Sequence, residues 1–151
     1  MKWLYYLENE EDDVILMRTG LSRVGCRDCL RWFQAGRDFK ETLLSLLPTQ
    51  LPKVILIDLK LNGECGLDIA AWLAEQPGLR HIPAFVFSSG RLMHEIVAAL
   101  EKNAMGYLFK PSSLEGWVEI AQNLKGISEA APCESWAAPA SSIVEHAVAI
   151  P

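Results

Sequence analysis

The chain is short of several things, and each shortage narrows what it can be. Its 151 residues hold four cysteines and three histidines, which do not make a disulfide framework in a chain of this size. No apolar run approaches the roughly 20 residues that span a bilayer. No basic segment followed by an apolar one opens the sequence, so no secretory signal is expected. Positive charge is also scarce: 14 Lys and Arg against 19 Asp and Glu leave a formal net charge of −5. With no basic stripe, neither a nucleic acid nor a membrane surface is an expected partner. What remains is half hydrophobic and 22% charged, the composition of one folded domain with a real core, and a cytoplasmic location is expected.

The cysteines and histidines do not assemble into a site. Cys26-Arg27-Asp28-Cys29 has the spacing of a redox or zinc pair, but no second pair and no nearby His supports it. It also falls at the start of a strand, on the rim opposite the polar cluster described below, so it is read as incidental. Cys65 reads as a small loop residue, and His81, His94 and His146 are scattered.

Strand and helix patterns alternate along the chain. Residues 3–7, 30–34, 53–59, 82–89 and 106–111 read as strands, and "KVILIDL" has the near-continuous apolar character of a strand buried on both faces of a parallel sheet. Between and after them, residues 10–24, 37–47, 66–78, 91–103 and 112–126 carry apolar side chains at helical spacing, with Ser112 or Ser113 as N-cap of the last. Five βα units in a row predict an α/β fold, an open five-stranded parallel sheet with five helices on both faces. From residue 127 to 151 the chain has no Lys or Arg and is rich in Ala, Pro and Ser. This stretch is expected to be a tail, with a short helix suggested by the capping-box spacing of Ser142 and Glu145.

Ligands of open α/β sheets bind outside the carboxyl ends of the strands, and there the polar residues gather. Strand one ends in Glu8-Asn9, strand three in Asp58, strand four in Ser88-Ser89 and strand five in Lys110. A carboxylate such as Asp58, with an ordinary pKa of roughly 3.9, is ionised at neutral pH and is already a nucleophile. Grouped oxygens are hard ligands suited to Mg²⁺. Lys110 offers a mobile positive charge to phosphoryl oxygens and Ser88 a hydroxyl donor. These are the parts that in-line phosphoryl transfer needs.

The motifs "YLENEEDD", "VILIDLKLNGECG", "IPAFVFSS" and "GYLFKP", in this order and spacing, resemble the receiver domain of two-component response regulators. The resemblance covers about residues 2–126, giving a receiver domain over 1–126 and a tail over 127–151. It implies the flavodoxin-like strand order 2-1-3-4-5. It implies that Asp58 accepts a phosphoryl group from a sensor histidine kinase or phosphotransfer protein, and that Glu8, Asn9, Asp58 and the backbone carbonyl of Lys60 bind Mg²⁺. Ser88 and Lys110 would contact the phosphoryl group, Ser88 and Tyr107 would occupy the switch positions, and the Lys110–Pro111 bond would be cis. Output would be phosphorylation-dependent binding of a downstream protein through the surface around residues 91–125, with a homodimer through that surface or the tail as a further expectation. The tail is too short for an output domain, so a stand-alone receiver similar to the small regulators that partner bacterial phytochromes is expected. Such a protein is a phosphoacceptor rather than an enzyme, although self-phosphorylation from small donors and autodephosphorylation are compatible with it.

Two positions depart from the family pattern: Asn9 stands where the family usually has Asp, and Asn62 where many members carry Pro. Two other function classes stay open. A pseudo-receiver would use the fold for binding without phosphorylation, and Asn9 is its support. A phosphatase with an aspartyl nucleophile would want a general acid two residues after Asp58, where this chain has Lys60. An amide oxygen ligates Mg²⁺ with one charge fewer than a carboxylate, so a weak Mg²⁺ site is expected. Asn9→Asp should therefore lower the Mg²⁺ concentration needed for phosphorylation by a small phosphodonor, and an unchanged Mg²⁺ titration would contradict this.

Overall fold

The computed structural model describes residues 2–89 and 106–130. The helix expected over 91–103 and the tail from residue 131 onward lie outside the described residues. Seven strands and four helices follow one another in this part of the chain: β1 (Leu4–Leu7), α1 (Glu11–Arg23), β2 (Leu30–Phe33), α2 (Gly36–Ser45), β3 (Val54–Asp58), β4 (Lys60–Leu61), β5 (Glu64–Cys65), α3 (Gly66–Glu75), β6 (Ala84–Ser88), β7 (Gly106–Phe109) and α4 (Leu114–Glu129).

The sheet is five-stranded and parallel, in the order β2-β1-β3-β6-β7. This is the expected 2-1-3-4-5 topology. The numbering shifts because β4 and β5 form a separate antiparallel hairpin directly after β3. Helix ends differ slightly from expectation. The helix α2 stops at Ser45, before a 3₁₀ turn at Pro48–Gln50, and α4 runs through Gly126 to Glu129. Ser113, rather than Ser112, caps α4 by accepting the Gly116 N–H at 3.2 Å.

Side-chain alternation divides the core into two layers. Tyr5 and Leu7 of β1 and Ile55 and Ile57 of β3 pack with Phe39, Leu43, Ile69 and Leu73 of α2 and α3. Leu4 and Tyr6, Val54 and Leu56, and Phe85 and Phe87 pack with Val14, Met17 and Leu21 of α1 and with Trp117, Ile120 and Leu124 of α4. Asp58 has the parity of Val54 and Leu56. Continued past the strand ends, Glu8 has the parity of Tyr6, and Lys110 that of Leu108. The pleat thus aims Glu8, Asp58 and Lys110 at one place, on the α1 side of the sheet.

Backbone closeness fixes the end of β3. The Gly66 N–H donates to the Leu59 carbonyl at 2.8 Å, and a methyl group on Gly66 would run into the Asp58 carbonyl oxygen. Gly66→Ala should cost about 1–3 kcal/mol of stability, as overpacking does, with the shift centred on Asp58. Urea unfolding together with amide chemical shifts around residue 58 checks this.

Candidate functional site

The site is built around one ammonium. Lys110 Nζ lies 2.7 Å from Asp13 Oδ2, 3.0 Å from Glu8 Oε2 and 3.2 Å from Asp58 Oδ1. Its side chain is only 12% exposed, and that of Glu8 is fully buried. Lys110 follows β7, whose extension pairs with β6 through the Lys110 N–H and the Ser88 carbonyl at 2.9 Å. The ammonium also lies over an aromatic face: Lys110 Nζ sits 5.9 Å from the centre of the Phe87 ring, within cation–π reach.

Glu8 is held on every side. Its Oε2 accepts the Tyr6 hydroxyl at 2.9 Å, and its Oε1 accepts the Glu10 N–H at 3.1 Å. Its own carbonyl accepts the Trp32 indole N–H at 2.7 Å, and its N–H donates to the Phe33 carbonyl at 2.9 Å. Each partner offsets the cost of bringing a carboxylate into a low-dielectric place.

The electrostatic balance follows from burial and from the count of charges. Burial raises the Glu8 carboxyl above its ordinary range against the opposing pull of Lys110, and Asp58 adds to the rise. Burial likewise raises Asp58, with Lys110 again pulling the other way. For Lys110, burial opposes the charge, but the hydrogen bond to Asp13 and the charges of Glu8 and Asp58 outweigh it and hold the ammonium above its usual range. The Tyr6 phenol is pushed well up, by burial first and by Glu8 next. One ammonium among three carboxylates leaves the site net negative and receptive to a further cation.

Of the oxygens expected to hold such a cation, those of Glu8 are already engaged by Tyr6, Lys110 and the Glu10 N–H, while Asn9, Asp58 and the Lys60 carbonyl lie close together. One end of the Asn9 amide lies 3.2 Å from Asp58 Oδ2 and 3.3 Å from the Lys60 carbonyl oxygen. A carboxylate oxygen, an amide and a backbone carbonyl at this spacing suit a hard divalent ion with water completing its shell. Among the described residues no three His, Cys, Asp or Glu side chains converge as a metal site by themselves, so the fit depends on the amide and the carbonyl.

The strand ends thus bring together Glu8, Asn9, Asp58, Lys110 and the Lys60 carbonyl. Ser88 is buried at the end of β6, beside Lys110 through the backbone pairing. Tyr107 lies elsewhere: its ring is buried in the layer under α2 and α3, with its centre 5.4 Å from that of Phe109. The Lys110–Pro111 bond, expected to be cis, is trans, since no described peptide bond is cis. An X–Pro bond favours trans by about 0.5–1 kcal/mol, and Lys110 reaches its three carboxylates from that backbone. At the other rim, Cys26 and Cys29 are free thiols, the Cys29 Sγ donates to the Cys26 carbonyl, and burial pushes the Cys29 thiol up to about 11.

Three contributors were not singled out from the sequence. Asp13 falls in the acidic first turn of α1, four residues before Met17 and seven before Gly20, on the side that α1 turns to the core. Tyr6 shares a strand face with Glu8 two residues on. Trp32 carries no local signal, because it reaches Glu8 across the β1–β2 pairing.

A family model described as the response regulator receiver domain matches residues 6–122. The positive alginate biosynthesis regulatory protein of Pseudomonas aeruginosa is 33% identical over 120 residues, which cover 78% of this chain and 45% of that protein. The chain therefore spans less than half the length of this relative. Among solved structures, the Mn(2+)-bound form of response regulator Rcp1 superposes with a TM-score of 0.73 at 20% identity, covering 88% of this chain and 99% of the other. The phosphorylated cyanobacterial phytochrome response regulator RcpA gives 0.73 at 20% identity, covering 87% and 97%. At that identity the two structures show a shared fold.

The raised Asp58 carboxyl has a consequence that melting curves can read. Ionisation of Asp58 costs the folded state, so the penalty is absent where Asp58 is protonated in both states and full above its raised folded-state value. In EDTA, Asp58→Asn should raise the melting temperature at neutral pH, and the gain should shrink as the pH falls toward about 4, the ordinary range of the group. A gain that stays constant or grows on acidification would contradict this account.

Proposed function

Since the chain belongs to the response regulator receiver domain family, we propose that it accepts a phosphoryl group on Asp58 from a sensor histidine kinase or phosphotransfer protein and passes the signal on by phosphorylation-dependent protein binding. The observation that carries this reading is the convergence of the Lys110 ammonium with Asp58 and Glu8 at one rim of the sheet. A carboxylate oxygen of Asp58 attacks phosphorus in line as the bond from phosphorus to the donor's imidazole nitrogen breaks. Lys110 exchanges a contact with the carboxylates for one with the incoming phosphoryl oxygens, and Asp13 keeps it from swinging into solvent. Ser88 donates its hydroxyl to the same group.

Mg²⁺ held by Glu8, Asn9, Asp58 and the Lys60 carbonyl would supply charge neutralisation for the phosphoryl oxygens. The switch positions are Ser88 and Tyr107, and the output surface lies around residues 91–125, of which 91–105 fall outside the described residues. The proposed location is cytoplasmic; among the described residues no helix is long and apolar enough to cross a membrane.

Incubation with acetyl phosphate and Mg²⁺ should add about 80 Da, one phosphoryl group, to the intact protein, and Asp58→Asn should abolish the adduct. Absence of the adduct under donors that label other receivers would favour the second reading, a binding module that does not need phosphorylation, for which Asn9 is the specific support.

A further inference from the structure

The Asn9 amide has two ends, and its surroundings treat them differently. One end lies 3.2 Å from Asp58 Oδ2 and 3.3 Å from the Lys60 carbonyl oxygen, and the other lies 3.2 Å from Asn62 Oδ1. With Oδ1 at the first end, Nδ2 donates to Asn62 while the amide oxygen faces two acceptors and no donor. With Nδ2 at the first end, its two hydrogens meet the Asp58 carboxylate and the Lys60 carbonyl, and Oδ1 is left to accept from the Asn62 amide turned in step. The heavy-atom positions are the same in both cases, and the hydrogen-bond network decides between them. Without a cation the second orientation is the satisfied one. With a cation among these oxygens the first is the only one that presents a ligand.

We infer that Asn9 and Asn62 form a paired amide that closes the metal site when no metal is present. The Asn9 NH₂ bridges Asp58 and the Lys60 carbonyl in the place of the cation, and the two amides turn over together to admit it. This rests on the metal site of the proposed function and adds a resting state to it. An aspartate at position 9 could not play this part, because a carboxylate only accepts and would set oxygen against oxygen in the empty site. Asn9 is thus more than a ligand with one charge fewer. It also competes with the ion for Asp58, through one charge-assisted hydrogen bond and one neutral one. Asn62, a loop residue of no evident role in the sequence, acquires one as the second half of the pair.

The test compares the full chain in EDTA and at saturating Mg²⁺, by melting temperature and by the side-chain amide resonances of ¹⁵N-labelled protein. In EDTA, Asn9→Ala should melt roughly 3–6 °C below the natural protein, and Asn9→Asp should also melt below it. At saturating Mg²⁺ the order of Asn9→Asp and the natural protein should invert. The Asn9 NH₂ protons should exchange slowly with water in EDTA and lose that protection on Mg²⁺ addition, with the Asn62 amide shifting along the same titration curve. Should Asn9→Ala melt no lower than the natural protein in EDTA, or should the Asn9 amide be unprotected there, the bridge does not exist. If Mg²⁺ moves the backbone resonances of residues 58 and 60 but neither side-chain amide, or moves none of them, the coupled turnover is wrong. The EDTA measurements need no phosphorylation, so failure of the phosphorylation assay with a protected Asn9 amide would overturn the proposed function and leave the bridge standing.

Discussion

One largely enclosed ammonium shared by three carboxylates is the constraint around which this end of the molecule is organised. Lys110 would be costly to bury alone, and so would Glu8, which has no exposed surface. Together they are tolerable only because almost every lone pair and proton is used. Tyr6, the Glu10 N–H and Lys110 satisfy Glu8, while Asp13, Glu8 and Asp58 surround Lys110. The arrangement still leaves more negative than positive charge, and that surplus makes the pocket receptive to a cation.

The rest of the fold keeps those groups in register. A parallel sheet sets neighbouring strands side by side with little freedom to slip, because a one-residue slip would turn every apolar side chain to the wrong face. In β1 and β3 such a slip would move Tyr6, Val54 and Leu56 into the opposite core layer, already filled from the other face, and would also turn Glu8 and Asp58 away from α1. Stability of the core and geometry of the site are therefore one requirement. Helix α1 adds to it by burying the stripe that begins at Asp13 and continues through Met17, so that docking the helix delivers the carboxylate that orients Lys110.

Position 9 shows how a single amide can change the logic of such a site. In a pocket of oxygens a carboxylate makes the empty state uncomfortable and the metal-bound state favourable, whereas an amide can satisfy both by presenting either end. Asn62 matters here for the same reason, since it can give or take a hydrogen bond as its neighbour turns.

The succession of strands and the identities of the strand-end residues were legible in the sequence because they depend on local pattern, whereas the order of the strands in the sheet came from the resemblance to receiver domains. The apolar run "VILID" allows few alternatives to a central buried strand, and a polar residue at the end of such a strand has the sheet rim as its natural place. Asp58, Glu8 and Lys110 were found in this way, from their positions at strand ends. Asp13 was half legible, since its helical spacing to Met17 is in the sequence but the partner it meets is 97 residues away. The sequence alone could not disclose that Trp32 clamps Glu8 from a neighbouring strand, that Tyr107 turns into the core, that the bond before Pro111 is trans, or that Asn9 touches Asp58, the Lys60 carbonyl and Asn62 at once. Periodicity reports which face a residue occupies, whereas hydrogen-bond partners depend on distances across strands and loops that only the packed chain sets.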